Sequence, residues 1–188
     1  MQLLLNSLQE TQVIVMGAGL VLLLAWETLH PFFDLFHHSW KERGRHIVRN
    51  LIVGAVNSLL VSVVFVGLWL VASLWAEQHG FGLLHWLDDA IGLPFALHAA
   101  AAILLLDGWM YIWHRINHEI PFLWRFHRVH HADNKMDVTT ASRFHVGEIF
   151  FSSLLRIPII ALAGIYVWEL VLYETLMFAV VQFHHANI

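Results

Sequence analysis

The stretch that decides the fold is Leu93–His131, LPFALHAAAAILLLDGWMYIWHRINHEIPFLWRFHRVHH. Its first part, Leu93–Trp113, is an apolar run, and a helix of about 20 such residues spans the core of a bilayer. The rest, from His114 to His131, holds five histidines. Histidine is polar and is the commonest metal ligand in proteins. The sequence therefore predicts a membrane helix that leads directly into a metal-binding segment.

The five histidines fall into two groups with helical spacing. These are His114 and His118, followed by His127, His130 and His131. Residues three and four apart lie on the same face of a helix, so each group presents its imidazoles together. Pro121 stands between the groups and disfavours a continuous helix. We therefore expect two helices hinged near Pro121, with their histidine faces converging.

The number of histidines suggests more than one metal ion. Five imidazoles exceed the three or four protein ligands of a zinc site, and imidazole also suits iron, copper and nickel. Two metals, or one metal with spare histidines nearby, both fit the number. Three further histidines are candidate ligands, namely His145 in SRFHVGE and both His184 and His185 in QFHHANI.

Two acidic residues are candidate catalytic groups. Asp107 shares a helical stripe with His114, so its carboxylate could orient that imidazole by a hydrogen bond. The alternative is an ion pair between Asp107 and Arg156 that neutralises a charge in the membrane. Glu119 follows His118 directly and could serve as a ligand, a base or a solvated turn residue. Glu148 could support His145.

The composition is that of a membrane protein. Hydrophobic residues make up 59% of the chain and charged residues 13%, against about 45–50% and about 25% in soluble domains. The mean hydropathy is +0.64. The sequence has no cysteine, which excludes disulfides and thiolate metal sites. A formal net charge of -4 gives no reason to expect nucleic acid as a partner.

The apolar runs predict an all-α, multi-pass membrane bundle with a histidine-rich metal site on its cytoplasmic side. The predicted spans are Thr11–Trp26, Ile47–Trp75, Leu93–Trp113 and the double-length block Ile149–Phe183. We interpret the last block as a hairpin of two helices that turns near Gly164. On this view residues 1–92 form N-terminal transmembrane helices, and residues 93–188 form the histidine-box domain.

The charge distribution predicts the orientation in the membrane. Lys and Arg cluster between the first two spans and again between the third span and the last block, whereas the predicted loop Glu77–Gly92 has three acids and no Lys or Arg. Cytoplasmic loops carry the excess of Lys and Arg. We therefore expect the histidines to face the cytoplasm, from a bacterial inner membrane or the endoplasmic reticulum. The hairpin would return His184 and His185 to that side.

Four motifs, HRINH, HRVHH, DVTTASRFHVGE and QFHHANI, resemble the fatty acid hydroxylase/sterol desaturase superfamily of membrane oxygenases. The resemblance runs from about Asp107 to Ile188. It implies two non-haem iron ions, O2 as co-substrate, an external electron donor, and hydroxylation or desaturation of a lipid such as a fatty acyl chain or a sterol. The matching positions imply as ligands His114, His118, His127, His130, His131 and one of His184 and His185.

The family pattern usually has a further HxxHH box beyond the QFHH segment, and Val146 stands where the family often has proline. The resemblance therefore suggests a fragment with weak metal retention and little turnover. There are two alternatives without catalytic activity: a membrane protein that binds a metal, and a membrane protein that binds haem. Because only neutral imidazole binds metal, we expect metal affinity to decrease as the pH drops below about 6.5.

Overall fold

The computed structural model describes residues 2–37 and 39–188 of the chain. These residues form helices and connecting turns without a β-strand, which confirms the predicted all-α fold. The helices are α1 (Gln2–Leu29), α2 (Trp40–Leu60), α3 (Val66–Gln78), α4 (Leu83–Ile91), α5 (Phe95–Glu119), α6 (Pro121–His131), α7 (Val146–Ala163) and α8 (Val167–His185). One π-helical turn, Val61–Phe65, joins α2 to α3, and a 3-10 turn, Val138–Ser142, precedes α7.

Four helical segments in the described part of the chain are long and apolar enough to cross a membrane. They are Glu10–Leu29, Trp40–Ile91, Phe95–Glu119 and Val146–Ala163. Each overlaps one of the predicted apolar runs. The second predicted run, Ile47–Trp75, lies inside a helical stretch that extends from Trp40 to Gln78.

The hinge at Pro121 is where the sequence predicts it. Helix α5 ends at Glu119, and Ile120 adopts an extended conformation with φ -92° and ψ 115°. Pro121 then opens α6 in the first turn, where its missing N–H has no helical partner to lose. The residue before a proline is biased away from the helical region, so Ile120 and Pro121 together break the helix and turn α6 away from α5.

The predicted hairpin is also confirmed. Helix α7 ends at Ala163, and Gly164 follows with a left-handed φ of 73°, the usual C-terminal cap of a helix. A Cβ on Gly164 would lie 3.0 Å from Cδ2 of His85, so α4 packs closely against this turn. Helix α8 then runs back and brings His185 to the end of the bundle that holds α6.

The acidic segment Glu77–Gly92, expected as a loop, contains helix α4 instead. Gly82 begins this helix and Gly92 ends it in a left-handed conformation. Leu84 is buried and packs into the main core. The helix forms because its apolar face covers the turn between α7 and α8.

The first helix packs on the last. Gln182 of α8 donates a hydrogen bond from Nε2 to the Met16 carbonyl of α1, at 3.1 Å. The buried Glu27 carboxylate accepts hydrogen bonds from the backbone N–H groups of Val138 and Asn187, at 3.0 and 3.1 Å. Residues before position 92 therefore make direct contacts with the turn before α7 and with the C-terminal residues.

The bundle thus has two ends with different side chains. We call one the histidine end, formed by α6, residues 132–145 and the C-terminus of α8. The opposite end is formed by α4 and the N-termini of α5 and α8. A core between the two ends joins α3, α4, α5, α7 and α8, and its largest fully buried apolar side chains are Phe65, Leu84, Leu106, Ile160 and Ile165.

Candidate metal centre

Four histidines from α5 and α6 form one group, which we call the histidine quartet: His114, His118, His127 and His131. One ligand nitrogen from each lies within 4.8 Å of the others. The Nε2 atoms of His114 and His118 are 3.1 Å apart, and those of His127 and His131 are 3.0 Å apart. The bend at Pro121 is what brings the two pairs together.

A second group is the histidine pair, His130 and His185. Their Nε2 atoms are 3.1 Å apart, although the residues are 55 positions apart in the chain. The His130 ring stacks on Phe144 with centroids 4.4 Å apart, which fixes its plane. The pair adjoins the quartet, because the ring centroids of His130 and His131 lie 5.3 Å apart. The structure therefore places His185, rather than His184, beside the histidines of α6.

The hydrogen bonds of the pair fix which ring nitrogen carries the proton. His185 Nδ1 lies 2.8 Å from the Val181 carbonyl, and His130 Nδ1 lies 3.3 Å from the Arg143 carbonyl. A carbonyl oxygen only accepts, so each Nδ1 is the protonated donor. In a neutral imidazole the other nitrogen is then a lone-pair acceptor. Two lone pairs that face each other at 3.1 Å repel, unless a cation or an added proton lies between them.

His127, the one fully buried member of the quartet, is also held in one tautomer. Its Nδ1 lies 2.8 Å from Oε1 of the buried Glu148. A carboxylate partner holds the proton on Nδ1 and leaves Nε2 free as a ligand, as in many metal sites. The sequence alone suggests Glu148 as a partner of His145. The structure shows it paired with His127.

The observed nitrogen distances fit bound metal ions. Imidazole nitrogens lie about 2.0–2.1 Å from a zinc-sized ion, so two of them at right angles are about 2.9 Å apart. The three Nε2 pairs are separated by 3.0 to 3.1 Å. An all-imidazole ligand set suits iron, zinc, copper and nickel. The quartet therefore fits a metal ion, and its imidazole ligands suit the iron that the resemblance implies.

The local electrostatics keep the histidines of α6 ready to bind metal. Burial, together with the neighbouring His185 and His131, lowers the pKa of His130 to about 4. Burial and the nearby His127 likewise lower the pKa of His131. Because both imidazoles are neutral at pH 7, each has a lone pair to offer.

The quartet is open on one side. His127 is buried, whereas His114, His118 and His131 are exposed. Trp124 covers part of the opening, with its ring centroid 5.2 Å from His118 and 5.8 Å from His131. The site therefore combines a buried histidine, three exposed histidines and an aromatic side chain at its open face.

Four predicted site residues lie outside the quartet and the pair: Asp107, Glu119, His145 and His184. His145 caps α7, since its Nδ1 accepts a hydrogen bond from Gly147 N at 2.9 Å. Glu119 is exposed and pairs with Arg115 at 2.7 Å. His184 is exposed next to Phe183. Asp107 is also exposed. Its alternative partner, Arg156, pairs instead with Glu174 and contacts Met110.

Comparison with known proteins identifies a family and several relatives to which this chain is similar. Residues 99–188 match the family of fatty acid hydroxylases. Ornithine lipid hydroxylase OlsE of Rhizobium tropici is 30% identical over 79 residues, 40% of this chain and 24% of that protein. Cholesterol 25-hydroxylase of Homo sapiens is 31% identical over 77 residues, 36% of this chain and 28% of that protein. The chain thus spans about a quarter of the length of these relatives. No solved structure matches it.

Proposed function

Residues 99–188 match the fatty acid hydroxylase family, and on that premise we propose that the protein is a membrane oxidoreductase that hydroxylates a lipid with O2. We assign it two non-haem iron ions. The observation that carries the proposal is the set of facing Nε2 atoms in the quartet and the pair, 3.0 to 3.1 Å apart. Neutral imidazoles arranged in this way leave room for cations.

The quartet would hold one iron and the histidine pair would contribute ligands to the second. When bound, the irons would supply the reduction of O2 and the insertion of one oxygen atom into an unactivated C–H bond. The chain supplies the orientation. Glu148 holds His127 in one tautomer, and the carbonyls of Arg143 and Val181 do the same for His130 and His185.

The substrate class follows from the surface around the site and from the relatives. Helices α5 and α7 expose apolar side chains such as Leu104, Ile112 and Leu155, so an apolar chain in the bilayer reaches the site along them. The two relatives are hydroxylases of an ornithine lipid and of cholesterol. We therefore favour hydroxylation over desaturation, with a membrane lipid as substrate.

We place the histidine end in the cytoplasm. Lys135 of this end lies 2.9 Å from Glu42, at the start of α2, which puts both basic segments of the sequence at one end of the bundle. The excess of Lys and Arg there supports a cytoplasmic location. Hydroxylation of a C–H bond with O2 releases water and consumes two electrons and two protons. The electrons would come from an external donor at this face.

The test uses histidine substitutions in the full chain. His114→Ala and His130→Ala should each reduce bound iron and abolish incorporation of 18O from 18O2 into membrane lipids. The control is His79→Ala, since His79 stacks on Trp75 and lies outside both histidine groups. Iron is measured by mass spectrometry of the purified protein. Unchanged 18O incorporation by His114→Ala would refute the assignment, and a strong Soret band would indicate haem instead.

A further inference from the structure

A cavity of about 360 Å³ lies beside the histidine end, between α2 and the segment that follows α6. Ligand-binding clefts in proteins are typically about 300–1,000 Å³, so this cavity is large enough for a small polar group. Its charged lining residues are Glu42, Arg45, Arg49, Asp133, Lys135 and Arg143. Four of these side chains are cations and two are carboxylates.

Two of the four cations are neutralised within the cavity wall. Lys135 Nζ lies 2.9 Å from a Glu42 oxygen. A guanidinium nitrogen of Arg143 lies 3.6 Å from Asp133. Both carboxylates are therefore engaged, and neither presents an unpaired negative charge to a bound anion.

The other two cations, Arg45 and Arg49, form no salt bridge with the residues that the structure describes. Arg45 uses its Nε to donate to the Lys41 carbonyl at 3.4 Å, which leaves its terminal nitrogens free. Arg49 has no hydrogen-bond or ion-pair partner among the residues that the structure describes. The two residues are four positions apart on α2, so they lie on the same face of the helix. They place two free guanidinium groups on one wall of the cavity.

We propose that this cavity binds a phosphate group, with a phospholipid head group as its source. The planar fork of arginine matches the oxygens of phosphate and makes two charge-assisted hydrogen bonds at once. The position fits a head group, because Arg45 and Arg49 lie in the first turns of the apolar segment that begins at Trp40. Trp40 is exposed there, as aromatic residues are at membrane interfaces.

The cavity shares a wall with the metal centre. Asp133 lies two residues after His131, and the carbonyl of Arg143 accepts the hydrogen bond from His130 Nδ1. A phosphate held here would therefore brace the segment that orients His130. The inference does not depend on hydroxylation, because its readout is binding rather than turnover.

The experiment measures binding by titration calorimetry at low ionic strength in an uncharged detergent that lacks phosphate. The probes are dihexanoyl phosphatidylglycerol, inorganic phosphate and dihexanoylglycerol, which has the same acyl chains without phosphate. Loss of the paired guanidinium contacts in R45Q/R49Q should weaken binding of the phosphatidylglycerol by about tenfold or more. The double variant R125Q/R128Q removes the same charge from α6, outside the cavity, and should bind as the wild type does.

The three probes distinguish the sources. Binding of the phosphatidylglycerol alone supports a lipid head group, and binding of inorganic phosphate as well shows that the phosphate suffices. Equal binding of dihexanoylglycerol would overturn the proposal, as would an equal loss of affinity in R125Q/R128Q. The variant R45K/R49K keeps the positive charges but not the planar guanidinium groups. An intermediate affinity in this variant would show that R45Q/R49Q binds weakly because it lacks these contacts, and not because it is unfolded.

Discussion

Two buried histidine–carboxylate pairs lie in different parts of the bundle. At the histidine end, His127 Nδ1 is 2.8 Å from Glu148. At the opposite end, His98 Nδ1 is 2.6 Å from Glu169. The two pairs differ in what surrounds the other ring nitrogen, Nε2. His127 Nε2 faces another imidazole nitrogen at 3.0 Å, whereas His98 Nε2 is buried without a hydrogen-bond partner.

The difference shows what distinguishes the candidate metal centre from a structural histidine–carboxylate pair. Both carboxylates orient a ring, but only the first orients it toward further lone pairs. Among the described residues, the quartet is the one group of three or more potential ligands that converge on a point. The second pair has a structural role, because it ties α5 to the N-terminal turn of α8. A histidine–carboxylate pair therefore orients a ligand only where other ligands converge.

The largest effect that distinguishes the two pairs is expected from matched carboxylate substitutions. Glu148→Gln removes the charge that stabilises the His127 tautomer, and loss of such a partner typically lowers metal affinity by about 10–100-fold. Glu169→Gln should leave metal affinity unchanged and lower the unfolding temperature instead. Iron affinity is measured by competition with a chelator. An equal loss of affinity in both variants would contradict the separation of roles.

Sequence reasoning recovers the features that depend on near neighbours. Helical spacing places His114 with His118 and His127 with His131, and the proline rule places the hinge at Pro121. The hairpin turn at Gly164 follows from the length of the last apolar block. In each case the decisive interactions lie within a few residues, where local geometry is limited to a few conformations. Helical spacing also groups His130 with His127 and His131, whereas the structure pairs His130 with His185.

The remaining features depend on contacts between distant segments. The partner of His127 is Glu148, 21 residues away, and the partner of His130 is His185, 55 residues away. Spacing shows which face carries a side chain but not what that face meets. His145 illustrates the limit, because its position just before α7 suits both a ligand and a helix cap. The structure shows it as the cap.

A smaller effect, confined to the opposite end, is expected from Gly164→Ala. A left-handed backbone costs a residue with a Cβ about 1–2 kcal/mol, and the new methyl would lie 3.0 Å from Cδ2 of His85. Gly17→Ala is the control, since a Cβ there meets nothing within 4 Å. Unfolding is followed in detergent with increasing SDS. Gly164→Ala should unfold at lower SDS while its metal affinity stays at the wild-type value, and a loss of that affinity would show that the two ends are coupled.

The smallest effect concerns pH and tests whether burial and the neighbouring imidazoles keep His130 neutral. The pKa of His130 is lowered to about 4, whereas an unfolded histidine titrates near 6.5. Between these values the unfolded chain binds the additional proton. The free energy of unfolding of the metal-free protein therefore decreases as pH falls from about 6.5 to 4. In His130→Gln the slope of the unfolding free energy against pH should be smaller, by an amount that corresponds to less than one bound proton per chain. An identical slope in both proteins would show that His130 titrates normally, and metal affinity would then fall below about pH 6.5, as expected from the sequence.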